Sequence, residues 1–141
     1  MTVKLLPEVK KMWVDALRSG RYKQGHEDLI DGVGGHCCLG VLVAELGCGM
    51  ARTATYASVL IPSEDVAVES HGALPAALFK LIYGYTFETF GGNQKTEHHR
   101  NPRVRVNFSD EDSVGDVMLS ELNDGYMWSF EQIADIIEEQ L

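Results

Sequence analysis

Apolar residues return at helical spacing near the start of the chain. From Pro7 to Ser19, Val9, Met12, Trp13, Ala16 and Leu17 follow the i, i+3, i+4, i+7, i+8 rhythm of one buried helical face. Pro7 suits a first turn, where no amide donor is needed, and Gly20 suits the left-handed residue after the last turn. Tyr22 to Asp31, followed by Gly32-Val33-Gly34-Gly35, reads as a short ribbon with strands near 22–30 and 33–37, turning at Asp31-Gly32. The same glycines equally suit a loop whose backbone approaches something closely. Cys38 to Leu46 has almost no polar face, which predicts a central buried helix ended by Gly47-Cys48-Gly49. Glu45 alone interrupts it and needs solvent or a partner.

The middle of the chain carries weaker patterns. Thr55 to Ile61 has the β-branched and aromatic content of a strand that stops at Pro62, and Ser63 to Gly72 reads as a polar connection. Leu74-Pro75 opens a helix with Leu78, Phe79, Leu81 and Ile82 on its apolar side, ending near Gly84. Tyr83 to Pro102 is long for a plain connection and has the character of a binding loop or lid. Arg103 to Phe108 alternates as a half-buried strand does. Ser113 predicts the next helix, with Val114, Val117, Met118 and Leu122 inward and Asn123-Asp124-Gly125 as its stop. The last helix has a capping box, Ser129 with Gln132, and a stripe of Phe130, Ile133, Ala134, Ile137 and Leu141. These elements predict an α+β fold: one helix-rich domain, residues 1–141, around a central buried helix with a small antiparallel sheet beside it.

Composition narrows the functional classes. With 141 residues, 45% hydrophobic and 23% charged, the chain is long enough for a real core and unlike a disordered segment. A formal net charge of -9 argues against generic binding to nucleic acid or to an anionic membrane. The acid is concentrated late, since Arg105 is the last basic residue and ten carboxylates from Asp110 to Glu139 follow it. No run approaches the ~20 apolar residues of a membrane span, and Leu5-Leu6 is too short for a signal-peptide core. Three cysteines, two of them adjacent, do not form a disulfide framework. A reduced, soluble, intracellular protein is expected.

The chemistry-bearing groups fall in two stretches. Arg18, Arg21, Tyr22, Lys23 and Gln24 lie between the first helix and the cysteines. Tyr85, Phe87, Phe90, Asn93, Lys95 and Arg100 lie in the long middle segment. Cations for phosphate, aromatic faces for a base and amides for base edges are what a nucleotide-like ligand needs. A rival reading makes Cys38, at the start of a helix, a thiol nucleophile with His36, His98 or His99 as base. A zinc site from His36, Cys37, Cys38, Cys48, His98 and His99 lacks the C-x-x-C or H-x3-5-H spacing such sites use. Neither a metal nor another cofactor is expected. A third reading turns the acidic C-terminal third into a face for a basic protein.

Three blocks are specific as a set: Trp13-x-x-Ala16-Leu17-Arg18-Ser19-Gly20-x-Tyr22-x-Gln24-Gly25, then Cys37-Cys38-Leu39-Gly40-Val41-Leu42, then Leu122-Asn123-Asp124 followed by Ser129-Phe130-Glu131-Gln132-Ile133-Ala134-Asp135. Together they resemble a family of small accessory proteins encoded by tailed phages, prophages and some bacteria. Between Leu74-Pro75 and Asn101-Pro102 the chain departs from that family, which is shorter and less aromatic there. By analogy of type, the resemblance implies a protein in the cytoplasm of an infected bacterium that acts on the host. One subclass of such proteins sequesters nucleotide immune signals, such as cyclic ADP-ribose isomers or cyclic oligonucleotides. The expectation is a non-enzymatic protein that holds a small anionic ligand, with homo-oligomerisation plausible because exposed aromatics need cover.

Overall fold

The computed structural model describes residues 4–62, 65–84, 101–107 and 114–141. The fold is α+β. Helix α1 (Pro7–Arg18) starts on Pro7 and buries Val9, Trp13, Val14, Ala16 and Leu17. Gly20 follows it with φ +76°, the left-handed conformation expected there. Helix α2 (Cys38–Glu45) buries every residue from Cys38 to Val43. A helix of eight residues is marginal by itself. Each fully buried Leu or Val contributes about 1.5–3 kcal/mol, so packing rather than propensity holds α2 in place.

α1 packs against both α2 and the last helix, α5 (Phe130–Gln140). The short α4 (Leu119–Asp124) packs against α2 and α5. Trp13, wholly buried, donates its indole N–H to Cys38 O at 2.9 Å, which pins α1 to the first turn of α2. α5 carries the predicted capping box, with Ser129 and Gln132 each serving the other's backbone N–H. Its inward side is Phe130, Ile133, Ala134, Ile136 and Ile137.

Three strand groups flank the helices. β1 (Lys23–Gln24) and β2 (Gly35–His36) pair in parallel over two residues. β3 (Gly49–Arg52), β4 (Ala57–Ile61) and β5 (Val66–Ser70) form an antiparallel meander in that order. Ala57, Val59 and Ile61 point from β4 into the core. β6 (Arg103–Asn107) and β7 (Val114–Met118) make an antiparallel pair in which Val104 opposes Val117.

Several elements differ from the sequence expectation. The ribbon expected over 22–30 and 33–37 shrinks to the two-residue parallel pair of β1 and β2 and one antiparallel bridge between Ile30 and His36. Its turn is closed by one carboxylate: Asp31 Oδ1 accepts from Val33 N at 2.8 Å and from Gly35 N at 2.7 Å. The close approach suggested for its glycines is present, since a Cβ on Gly35 would strike the Asp31 carboxylate. β5 stands within the expected polar connection 63–72. Val66-Ala67-Val68-Glu69-Ser70 is mostly exposed, so its hydrophobic signal is weak. The helix expected from Ser113 begins only at Leu119; residues 114–118 are β7 instead, and Ser113 lies outside the described residues. Gly115 in a helix interior costs about 1 kcal/mol, and β6 needs a partner for its backbone groups. The 74–84 helix is a 3-10 turn (Ala76–Leu78) running into α3 (Phe79–Tyr83), and Leu81 faces solvent. Gly84 ends it with φ +88°.

Candidate functional site

The connector between α1 and α2 is where the sequence places its first cations, and the structure assigns each a local partner or an exposed position. Arg18, in the last turn of α1, reaches α5. Its guanidinium donates to Asp135 Oδ1 and to Glu138 Oε2, both at 2.7 Å, with Glu131 at 3.9 Å. These bonds raise the Arg18 pKa above its ordinary value, with Asp135 the largest cause. Arg21 donates to Glu45 Oε1 at 2.7 Å, and Tyr22 Oη donates to the same oxygen at 3.1 Å. Glu45, the polar interruption in α2, thus has the partners it needs. Burial, then the bond to Glu45, raises the Tyr22 pKa.

Lys23 is exposed on β1, opposite Gly35. Gln24 points the other way, and its amide nitrogen uses both hydrogens: Nε2 donates to Asn123 Oδ1 at 2.9 Å and to Trp128 O at 2.7 Å. The Asn123 side chain, wholly buried on α4, returns bonds to Gly25 O at 2.8 Å and Asp124 Oδ1 at 2.7 Å. Asp124 Oδ1 also accepts from Glu27 N at 2.9 Å. Glu27 holds φ +76°, a strained value for a non-glycine residue, and this bond supports it. Asn123-Asp124 is therefore a clasp on the connector as well as part of a helix stop. The Gln24-Gly25 and Asn123-Asp124 pairs in the sequence blocks are the signal for it, legible only once the two are known to meet.

The thiol candidates are withdrawn from solvent. Cys37 is 1% and Cys38 0% exposed. Cys37 caps α2, its Sγ accepting from Gly40 N at 3.4 Å. Cys38 Sγ donates to Leu119 O at 3.6 Å, a long contact suited to sulfur. Burial pushes the Cys37 thiol up to about 12 and the Cys38 thiol well above its ordinary value. A helix N-terminus normally favours a thiolate, but complete burial outweighs it here. His36 stands edge-on to the Tyr22 ring, centroids 5.1 Å apart, and burial lowers its pKa. Cys48 is also buried. Among the described residues, no three His, Cys, Asp or Glu side chains are grouped to hold a metal ion. Tyr85, Phe87, Phe90, Asn93, Lys95, His98, His99 and Arg100 lie outside the described residues.

An open groove of about 290 Å³ runs along α1, lined by Pro7, Lys10, Lys11, Val14, Asp15 and Glu138. It includes none of the connector candidates. Lys11 is bound to Asp15 at 2.7 Å, so part of the groove's positive charge is neutralised within one helix. No helix among the described residues is long and apolar enough to cross a membrane.

Residues 5–49, about a third of the chain, match the family described as Domain of unknown function (DUF8296). No curated protein and no solved structure matches the chain. The matched stretch contains α1, the connector and α2 with the contacts that join them: Trp13 to Cys38, Arg21 and Tyr22 to Glu45, and Leu29 against Gly40. A Cβ on Gly40 would overlap Leu29 O, so only glycine permits this crossing. What the matched stretch encodes most visibly is a way of packing a loop onto a buried helix.

Proposed function

We propose that this chain is a non-enzymatic binding protein of the phage accessory type. It captures a small anionic, nucleotide-like ligand in the cytoplasm of an infected bacterium and so withdraws an immune signal from the host. The observation that carries the choice of binding over thiol catalysis is the burial of Cys38, with its Sγ turned to Leu119 O. A nucleophile must meet its substrate, and this sulfur faces the core.

The geometry reassigns roles within the reading. Arg18 and Arg21 would have to leave carboxylates to serve a phosphate, and Gln24 would have to leave Asn123. Phosphate neutralisation therefore rests on Lys23 together with Lys95 and Arg100, and base stacking on Tyr85, Phe87 and Phe90. Arg18, Arg21, Tyr22 and Gln24 act as the frame that presents Lys23. The test is a thermal-shift screen of the full chain with cyclic ADP-ribose isomers and cyclic oligonucleotides, then chromatography of what heat-denatured protein releases. A stabilising nucleotide recovered intact, with the shift lost in Lys23→Glu and kept in Lys11→Gln, a lysine paired with Asp15 on α1, supports the reading. No stabilisation by any nucleotide overturns it, and a recovered cleavage product moves the protein to the hydrolases.

One observation favours a second reading, a module that binds a basic protein. Glu131, Asp135 and Glu138 share the solvent side of α5, their side chains 60–67% exposed, with Arg18 set among them. Binding to a basic protein that weakens steeply with salt, and no response to nucleotides, would select it.

A further inference from the structure

Among the described residues, the buried side-chain polar atoms have hydrogen-bond partners with two exceptions, Arg52 Nη1 and His36 Nδ1. Even the side of β6 is served: Gln140 Oε1 accepts from Arg105 N and its Nε2 donates to Arg105 O, both at 2.7 Å. Arg52 keeps its charge at any ordinary pH and holds Asp28 through Nη2 at 3.0 Å. His36 is different, because an imidazole can change its charge near neutral pH. With the neutral ring's hydrogen on Nε2, Nδ1 is a bare lone pair. Protonation would turn it into a buried N–H with no acceptor, which is unfavourable.

His36 is also where the connector is tied together. Its O accepts from Gly25 N at 2.7 Å, it pairs with Gln24 across β1 and β2, and it bridges Ile30. Its ring stands 5.1 Å from that of Tyr22, and the same Tyr22 ring carries the Arg21 guanidinium 5.6 Å from its centroid. The charged and titratable groups around it are Arg21, Tyr22, Lys23 on β1, Asp31 in the loop and, through Tyr22 Oη, Glu45 of α2. Asp31 favours a charge on His36, but its Oδ1 already takes the Val33 and Gly35 amides. Arg21 and Lys23 oppose one.

We propose that His36 is a proton-operated catch on the connector: neutral, its ring seats beside Tyr22 and holds β1 to β2; protonated, it leaves that seat and frees them. The helices stay packed, because Trp13 to Cys38 and Arg18 to α5 do not pass through the ring. Burial sets the folded ring's pKa below the ordinary 6.5, against the pull of the Gly34 backbone and of Asp31. The catch is therefore fully set above pH 6.5 and loosens as pH falls below it. Asp31, held below 3.8, stays ionised through this window.

NMR of the full chain, labelled at its amides and histidine rings, from about pH 7.5 down to about pH 5 tests this. The His36 ring is expected to titrate below 6.5. The amides of Lys23, Gln24, Gly25 and Gly35 should move at the same midpoint while those of α1 and α5 hold still. One proton drives the change, so the open fraction should grow by no more than about tenfold per pH unit. His36→Gln keeps a neutral side chain there and should leave the connector amides steady across the range. His71→Gln removes an exposed ring and should leave the transition in place. Connector amides that ignore the His36 titration overturn the proposal. So does a transition that persists in His36→Gln, or a His36 that titrates at or above 6.5. Should His36→Gln fail to fold, the wild-type titration decides, since ring and amides are read in the same protein.

Discussion

Gln24 Nε2 donates to Asn123 Oδ1 at 2.9 Å, joining positions 99 residues apart. The bond makes the connector and α4 one piece, because Asn123 also holds Gly25 O and steadies Asp124, which takes the Glu27 amide. Asn123 has no exposure to water, so its amide groups have no substitute partners if the network opens.

Replacing Asn123 with Ala should therefore cost about 3 kcal/mol, since buried groups lose their bonds and are not rehydrated. Gln24→Ala removes only the near half and should cost about 1–2 kcal/mol. Urea denaturation of both single variants and the double variant measures this. The double variant should lose less than the sum of the singles, because both break the same network. Strict additivity would show that the two side chains do not work together.

The crossing of Leu29 over α2 makes a sharper demand on one atom. Gly40→Ala forces the connector off the helix, at a cost of about 3 kcal/mol or more, because the obstacle is backbone and cannot rotate away. Gly47→Ala is the control. That residue has φ +87° with nothing within 4 Å of its added carbon, so the variant should lose only about 1 kcal/mol from backbone strain. Chemical denaturation of the two variants side by side gives the comparison.

Asp31 organises its loop as an ionised group. The amides of Gly35 and then Val33 hold its carboxyl below the ordinary value of 3.8. A carboxylate whose folded pKa is depressed contributes stability above its unfolded pKa and loses it as pH falls through the folded one. Asp31→Ala should thus be less stable than the wild type at neutral pH, with the gap closing as pH drops below 3.8. Thermal melts of the two proteins from neutral to strongly acidic pH follow the gap. A gap that widens with acid contradicts the role.

Thiol labelling separates burial from reactivity. Cys37 and Cys38 are fully enclosed, and their raised pKa values leave almost no thiolate near neutral pH. A chromogenic disulfide reagent should label them in the native protein only as fast as the fold opens, so mild denaturant should accelerate both. Cys48, 7% exposed, should react first. Prompt native labelling of Cys38 would restore the thiol-hydrolase reading.

How much of this was legible in the chain depended on how each residue is satisfied. α1, α2 and α5 carry their own signals: a proline start, an unbroken apolar run and a reciprocal cap, all local in sequence. β5 and β7 do not, because each is a strand only by virtue of its neighbour. Val114, Val117 and Met118 fit helical spacing as well as a strand, and pairing with β6 decides between them. The same division runs through the candidate site. Arg18, Arg21, Tyr22 and Gln24 look like ligand groups when read as a short polar stretch. Their partners, Asp135, Glu138, Glu45 and Asn123, are remote in sequence, and only folding reveals that these side chains are engaged within the protein.

The amide of Gln140 gives the C-terminal helix a second duty. Because it occupies both backbone groups of Arg105, the last turn of α5 shields β6 only while that turn stays wound. Fraying there bares a strand edge at the same moment that it loosens a helix. Resistance to self-association under mild stress should then follow the integrity of one helical turn, a dependence that neither the helix nor the sheet would have alone.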